Sequence, residues 1–232
     1  MRKIGFIGAF DKTDVIIRIA KILTVMNQKV LVIDSTVNQK AKYIVPVINP
    51  TKTYITEYEN FDVAVGFQDF NEIKSYLGID ENTDFEYDIA LIDIDSNKVL
   101  ENFEMKDADK NYFVTSFDVF SLKKGLEALS GLTSHINITK VLFSKTMSAM
   151  EDYYLEFLSK EYKITWNNEK IYFPFEIGDQ TAIIEGQRVS KISFKNLSSQ
   201  YKDSVLYIVQ QIMPNTTSNE LKRVMKNIEK EV

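Results

Sequence analysis

Lys12 and Thr13 stand side by side in the stretch IGFIGAFDKTD (residues 4–14), behind an apolar run and ahead of a helical pattern. At that junction a lysine and a hydroxyl can handle phosphate. The lysine reaches the outer phosphates, the hydroxyl binds Mg²⁺, and backbone N–H groups of a glycine-rich turn wrap the rest. Gly8 is one such glycine, but Ala9 and Asp11 stand where further glycines belong. An aspartate facing a phosphate adds like-charge repulsion and forfeits the left-handed freedom of glycine. By pattern alone, a plain strand-to-helix turn with Asp11 capping the helix accounts for the stretch better than a nucleotide loop. Two more carboxylates, Asp34 and Asp93, each end an apolar run, KVLVID (29–34) and DIALID (88–93). Such a group can order the water of a metal or position an attacking water; its plainer use is to cap a turn. There is no cysteine, which excludes disulfides and thiolate metal sites, and the one histidine, His135, sits in a polar stretch.

Elements must bring these groups together. Apolar runs at 3–9, 29–34, 62–66, 88–93, 111–115, 139–143 and 170–173 read as strands. Helical spacing predicts helices over 13–27, 68–78, 119–134, 147–161 and 198–213. The alternation, with runs apolar on both faces, predicts a three-layer α/β fold: a mostly parallel central sheet flanked by helices. Ligands of such sheets bind beyond the carboxyl ends of the strands, where the first loop, Asp34 and Asp93 all fall.

The chain has 232 residues, 44% of them hydrophobic, enough for one α/β domain over 1–213 with an extension over 214–232. In the extension Leu221, Val224, Met225 and Ile228 repeat at helical spacing behind Ser218 as N-cap. Its basic residues Lys222, Arg223, Lys226 and Lys230 are offset by Glu220, Glu229 and Glu231, with no Trp or Phe to anchor a lipid interface. The amphipathic helix is therefore expected to dock on the body or a partner chain, ahead of membrane binding through 219–232. A net charge of −5 leaves no global footprint for DNA, and direct DNA binding is not expected. No apolar run reaches the ~18–20 residues of a membrane span. MRKIGFIG reads as a first strand rather than a signal peptide, so the cytoplasm is the expected compartment, peripheral at the membrane if the tail binds lipid.

The order of these pieces resembles the ParA/MinD family of P-loop ATPases, from Lys3 to about Met213. The family's KGGxGKT pattern falls on Ile7-Gly8-Ala9-Phe10-Asp11-Lys12-Thr13. Its second-strand motif, ending Asp-x-Asp-x-Gln, is similar to VLVIDSTVNQ (30–39), and its metal-site strand, YDxxxxD, to YDIALID (87–93). FVTSFDVFSLKKGLEAL (113–129) resembles the next strand and helix, and PFEIGDQTAIIEGQ (174–187) the Pro-initiated loop near the base. The resemblance implies ATP or ADP with Mg²⁺, bound by Gly8, Ala9, Phe10, Asp11, Lys12, Thr13, Asp14 and Pro174. It implies Thr13 and Asp93 at the metal and Asp34 positioning the attacking water. It also implies a homodimer around the nucleotide and a protein partner from a positioning or secretion system.

The departures bear on activity. The signature lysine of the family is Ile7 here, and Ile94-Asp95-Ser96-Asn97 replaces the proline and glycine that sense the γ-phosphate. Ser144, followed by Lys145, stands where the family has Asn for adenine. A missing cation and a missing backbone donor imply slow hydrolysis or none, because phosphoryl transfer relies on positioning and electrostatics. Three functions stay open: a nucleotide-binding or pseudo-ATPase scaffold for partitioning or for pilus or secretion machinery, an active ATP-dependent dimerisation switch, and an unrelated α/β binding domain. The apolar residues of 147–161 (Met147, Met150, Tyr153, Tyr154, Leu155, Phe157, Leu158) are expected to be core, an exposed excess marking a partner site.

Overall fold

Strands that are apolar at successive positions feed two cores at once, because neighbouring side chains leave a strand on opposite faces. The computed structural model describes residues 1–47, 51–144, 149–174 and 176–230. The chain begins β1 (Arg2–Ile7), α1 (Thr13–Val25), β2 (Val30–Asp34), α2 (Ala41–Ile44), β3 (Tyr54–Tyr58) and β4 (Phe61–Val65). It continues α3 (Phe70–Leu77), β5 (Ile89–Ile94), α4 (Asn97–Asn102), β6 (Lys110–Ser116), α5 (Val119–Glu127) and β7 (Ile136–Phe143). It closes with α6 (Ala149–Leu158), β8 (Ile164–Phe173), α7 (Ile177–Arg188), α8 (Ser199–Ile212) and α9 (Ser218–Ile228). The sheet runs β3-β4-β2-β5-β1-β6-β7-β8, and among the described residues only β3 and β4 pair antiparallel.

Ile4 and Phe6 of β1, Val30 and Val32 of β2, and Ile89 and Leu91 of β5 face the core covered by α1, α8 and α9. Ile7, Leu31, Ile33, Ala90 and Ile92 face the opposite core, with Leu122 and Leu126 of α5. This two-sided burial is the three-layer fold that the alternation predicts. It also places the ends of β1, β2 and β5 next to one another, with Asp34 paired in register with Asp93.

Several expectations need adjustment. β3 has no counterpart among the expected strands, because YITEY is half polar. It exists as one arm of a hairpin whose tip, Glu59 and Asn60, takes positive φ at both residues, the geometry of a two-residue turn. α5 stops at Glu127; Leu129 and Leu132 are still buried, but from the turn that follows. β8 starts at Ile164, well before residue 170, since an edge strand tolerates polar residues such as Asn167 and Asn168.

The cap of α9 is Thr217, one residue before Ser218. Its hydroxyl accepts from Glu220 N while Glu220 accepts from Thr217 N, a reciprocal capping box. Leu221, Met225 and Ile228 are buried among α1 and α8, and Lys202 pairs with Glu229 at 2.8 Å. The apolar stripe of α9 is thus already covered by the body. Leu221→Ala should lower unfolding stability by about 2–5 kcal/mol, the cost of a core leucine. A urea transition unmoved by that change would mean the helix detaches in solution.

α6 inverts the usual arrangement. Asp152 and Leu155 point inward, while Met150, Tyr153, Tyr154 and Phe157 are exposed. Buried charge holds the helix down: Lys140 of β7, 1% exposed, pairs with Asp152 at 2.7 Å and Glu156 at 2.6 Å, and Lys170 pairs with Asp152. Of the residues expected to be core here, Leu155 is buried and Leu158 partly so; Met147 lies outside the described residues. No described helix is long and apolar enough to cross a membrane.

Candidate functional site

β1 delivers the chain to Gly8 between the ends of β5 and β6. Gly8 N donates to Ile94 O at 2.9 Å, its φ is +142°, and a Cβ there would lie 2.3 Å from Val114 O. The other non-glycine loop positions need no such freedom. The described non-glycine residues with positive φ are Asn27, Gln39, Glu59, Asn60, Glu104 and Ser190, so Ala9 and Asp11 keep ordinary backbone.

After the loop the Lys12 side chain folds back. Its Nζ donates to Gly8 O at 2.7 Å and lies 2.6 Å from Asp93 Oδ1, with Lys12 only 3% exposed. The contact with Asp93 is a short buried ion pair, and the neighbouring Asp95 Oδ1 is buried without a hydrogen-bond partner. Burial pushes the Asp93 carboxyl up to about 7; Lys12 pulls it down, and the charges of Asp34 and Asp11 push it up.

A cleft of about 80 Å³ opens here. It is lined by residues 8–13, by Thr36, Asn38 and Lys40 from the loop after β2, and by Asp93 and Asp95. A larger cavity of about 270 Å³ adjoins it, sharing Phe10, Asp11 and Lys40, and runs past Asp14 and Pro174 to α7 and Tyr201. Phe10 packs on Phe143 with ring centres 4.7 Å apart, and Phe143 stacks on Phe173 at 4.8 Å, giving this second cavity an aromatic wall. A small polar cleft beside a larger, more apolar cavity is the shape that a phosphate chain joined to a flat base requires.

Gly8, Ala9, Phe10, Asp11, Lys12, Thr13 and Asp93 therefore meet at one cleft, while Asp14 and Pro174 line its neighbour. Asp14 is engaged with Arg18 at 2.8 Å and accepts from Tyr201 Oη at 3.2 Å. Asp34 lines neither cavity. It is 1% exposed, and its oxygens accept from Thr36 N (3.1 Å), Thr36 Oγ1 (2.6 Å) and Ala41 N (2.9 Å). That carboxylate builds the turn after β2. Asp11 makes only a long contact of 3.4 Å with Thr13 N and pairs instead with Lys40. Ile7 is fully buried and paired in the sheet with Ile94 and Phe113, so the place of the signature lysine is a core position here. Lys145 lies outside the described residues.

Thr36 and Asn38, from the stretch similar to the second-strand motif, and Asp95 join the site with no role assigned to them beforehand, and Lys40 joins it from outside every motif. They reach it because the loop after β2 folds over the cleft, with Val37 N donating to Asp95 Oδ2 at 3.0 Å.

Among the described residues no group of three or more Asp, Glu, His or Cys could hold a metal ion. Mg²⁺ does not need one, because it binds through one or two carboxylates and completes its shell with waters and phosphate oxygens. The Thr13 hydroxyl and the buried Asp93 carboxylate, both at the cleft, are hard oxygen donors of that kind, and they fit. A bound Mg²⁺ would neutralise phosphate charge there.

No protein-family model matches the chain, and no curated protein does. Solved structures match over nearly its whole length. A plasmid partition protein of Borrelia burgdorferi B31 bound to AMPPNP is 16% identical, with 93% of this chain and 100% of that chain covered and a TM-score of 0.58. The MinC:MinD cell division protein complex of Aquifex aeolicus is 13% identical, with 94% and 98% covered and a TM-score of 0.58. A complex of McdA with ATP from Cyanothece is 10% identical, with 94% and 98% covered and a TM-score of 0.57. At such identities the likeness is one of fold: this is a ParA/MinD-like P-loop fold, as the order of the sequence motifs predicts.

Proposed function

We propose that the chain binds ATP or ADP with Mg²⁺ and works as a ParA/MinD-like positioning or scaffold module whose hydrolysis is weak or absent. The observation that carries the binding half is the buried Lys12–Asp93 pair at the mouth of a tight glycine turn. Lys12 is the cation for the phosphates, and Thr13 and Asp93 are the oxygens for the metal. The AMPPNP and ATP bound to similar structures support the same ligand class. Phe10 and Pro174 border the cavity suited to the base.

Weak hydrolysis follows from three positions. Ile7 is sunk in the core and offers no cation. Asp34 spends its oxygens on a turn. Asp95 lines the cleft where a backbone donor for the γ-phosphate is wanted. The exposed aromatic face of α6 supports a protein partner, since clustered exposed aromatics mark contact surfaces. A homodimer, and a place in partitioning or in pilus or secretion machinery, belong to the same reading.

Calorimetric titration tests it. MgATP should bind, removal of Mg²⁺ by EDTA should abolish binding, and Thr13→Val should weaken it by about tenfold or more, the loss of one strong polar contact. Phosphate release should stay near ~10⁻³ s⁻¹ or below, the scale of unassisted P-loop hydrolysis. Turnover orders of magnitude faster would make the chain an active switch. No binding at millimolar nucleotide would sink the nucleotide reading altogether.

A further inference from the structure

We infer that Lys40 is a second phosphate cation of the cleft, held in reserve by Asp11, so that the Asp11–Lys40 pair is a latch that nucleotide opens. The inference rests on the nucleotide reading above and deepens it.

Charge balance motivates it. The cleft is lined by two cations, Lys12 and Lys40, and three carboxylates, Asp11, Asp93 and Asp95. Lys12 is buried against Asp93. Lys40 and Asp11 are different: their side chains are 44% and 46% exposed, and their ion pair spans from the loop after β2 to the phosphate loop. Exposed ion pairs contribute little, whereas a lysine on a phosphate makes a charge-assisted bond with a more highly charged acceptor. Exchanging one for the other is favourable, and the released Asp11 is open to water.

The root of Lys40 is fixed while its tip is free to choose. Asp34 accepts from Thr36 N and Ala41 N on either side, Thr36 Oγ1 accepts from Gln39 N at 3.1 Å, and Asp95 accepts from Val37 N. Lys40 lines both the small cleft and the larger cavity, so its stem stands where the two join. A flexible four-carbon stem with three donors suits that exchange. The two departures then explain each other. The acid that replaced a loop glycine is neutralised by a lysine from the next strand's loop, and that lysine supplies in the same chain a cation that Ile7 does not. The loop carrying Lys40 thereby senses the ligand.

The test is a double-mutant cycle on MgATP affinity with wild type, Lys40→Gln, Asp11→Asn and the double variant. Both side chains are well exposed, so the variants should fold, which a thermal melt checks. Lys40→Gln should weaken binding about tenfold, the worth of one charge-assisted contact, and Asp11→Asn should tighten it. The double variant should stay as weak as Lys40→Gln. If Lys40 merely neutralises Asp11, the double variant returns to wild-type affinity, and the latch is overturned. If Lys40→Gln binds like wild type while Thr13→Val does not, the latch fails and the nucleotide site stands. If no protein in the cycle binds, both fall together.

Discussion

Lys12→Ala should destabilise the folded chain by about 3–5 kcal/mol, the cost of removing one partner from a buried ion pair. Lys12 and Asp93 are each 3% exposed, and Lys12 Nζ lies 2.6 Å from Asp93 Oδ1. Without the lysine the carboxylate is buried and unpaired. Lys12→Met with Asp93→Asn should recover most of the loss, because apolar and neutral replacements remove the uncompensated charge. The pH dependence has a definite sign. Burial raises the folded Asp93 carboxyl to about 7, above its ordinary value near 4 in the unfolded chain. Between those values the folded state holds more protons, so this group's contribution to stability falls as pH rises. Removing Lys12 extends the window upward, and the deficit of Lys12→Ala should be larger at pH 8 than at pH 5. Urea denaturation in EDTA at both pH values measures it. Equal deficits would mean that Asp93 finds another partner. The consequence reaches function: loss of nucleotide binding in Lys12→Ala would not by itself prove a phosphate contact, which is why Thr13 and Mg²⁺ carry the binding test.

The sheet was legible because burial of a strand residue depends mainly on its own type. KVLVID and DIALID need no partner to declare themselves, and they put Asp34 and Asp93 at the carboxyl ends of strands; the pairing of β2 with β5 then makes the two neighbours. The polar partners were not legible, because each depends on which groups the fold brings within reach. Asp34 looks like a site residue until Thr36 and Ala41 take its oxygens. Lys40 looks like a surface residue until the loop after β2 lays it beside Asp11. α6 misled for the same reason. Its aromatics suggested core, but Lys140, an ordinary residue in an apolar strand, holds the acidic face of the helix inward and leaves the aromatics outside.

Gly8→Ala should be the most damaging single change in the loop, costing about 3 kcal/mol or more, while Asp11→Gly should cost no more than about 1 kcal/mol. The two sit three residues apart but face different constraints. At Gly8 the backbone takes φ +142°, a region L side chains avoid, and the new methyl would press a main-chain carbonyl, Val114 O, at 2.3 Å. That carbonyl belongs to β6 and cannot turn aside as a side chain would, so β1 or β6 must shift at the ends that frame the cleft. At Asp11 the φ is negative, and glycine adds only unfolded-state freedom. Denaturant titration of both variants checks the contrast, and a Gly8→Ala protein as stable as wild type would mean the loop follows another path. Gly8 is therefore required by packing whether or not nucleotide binds. At Ala9 and Asp11 the backbone has no need of glycine. Glycine is needed in this loop only where the backbone is strained, so the loop's glycine count is poor evidence on binding; Lys12, Thr13, Asp93 and the latch at Lys40 are the groups on which that question turns.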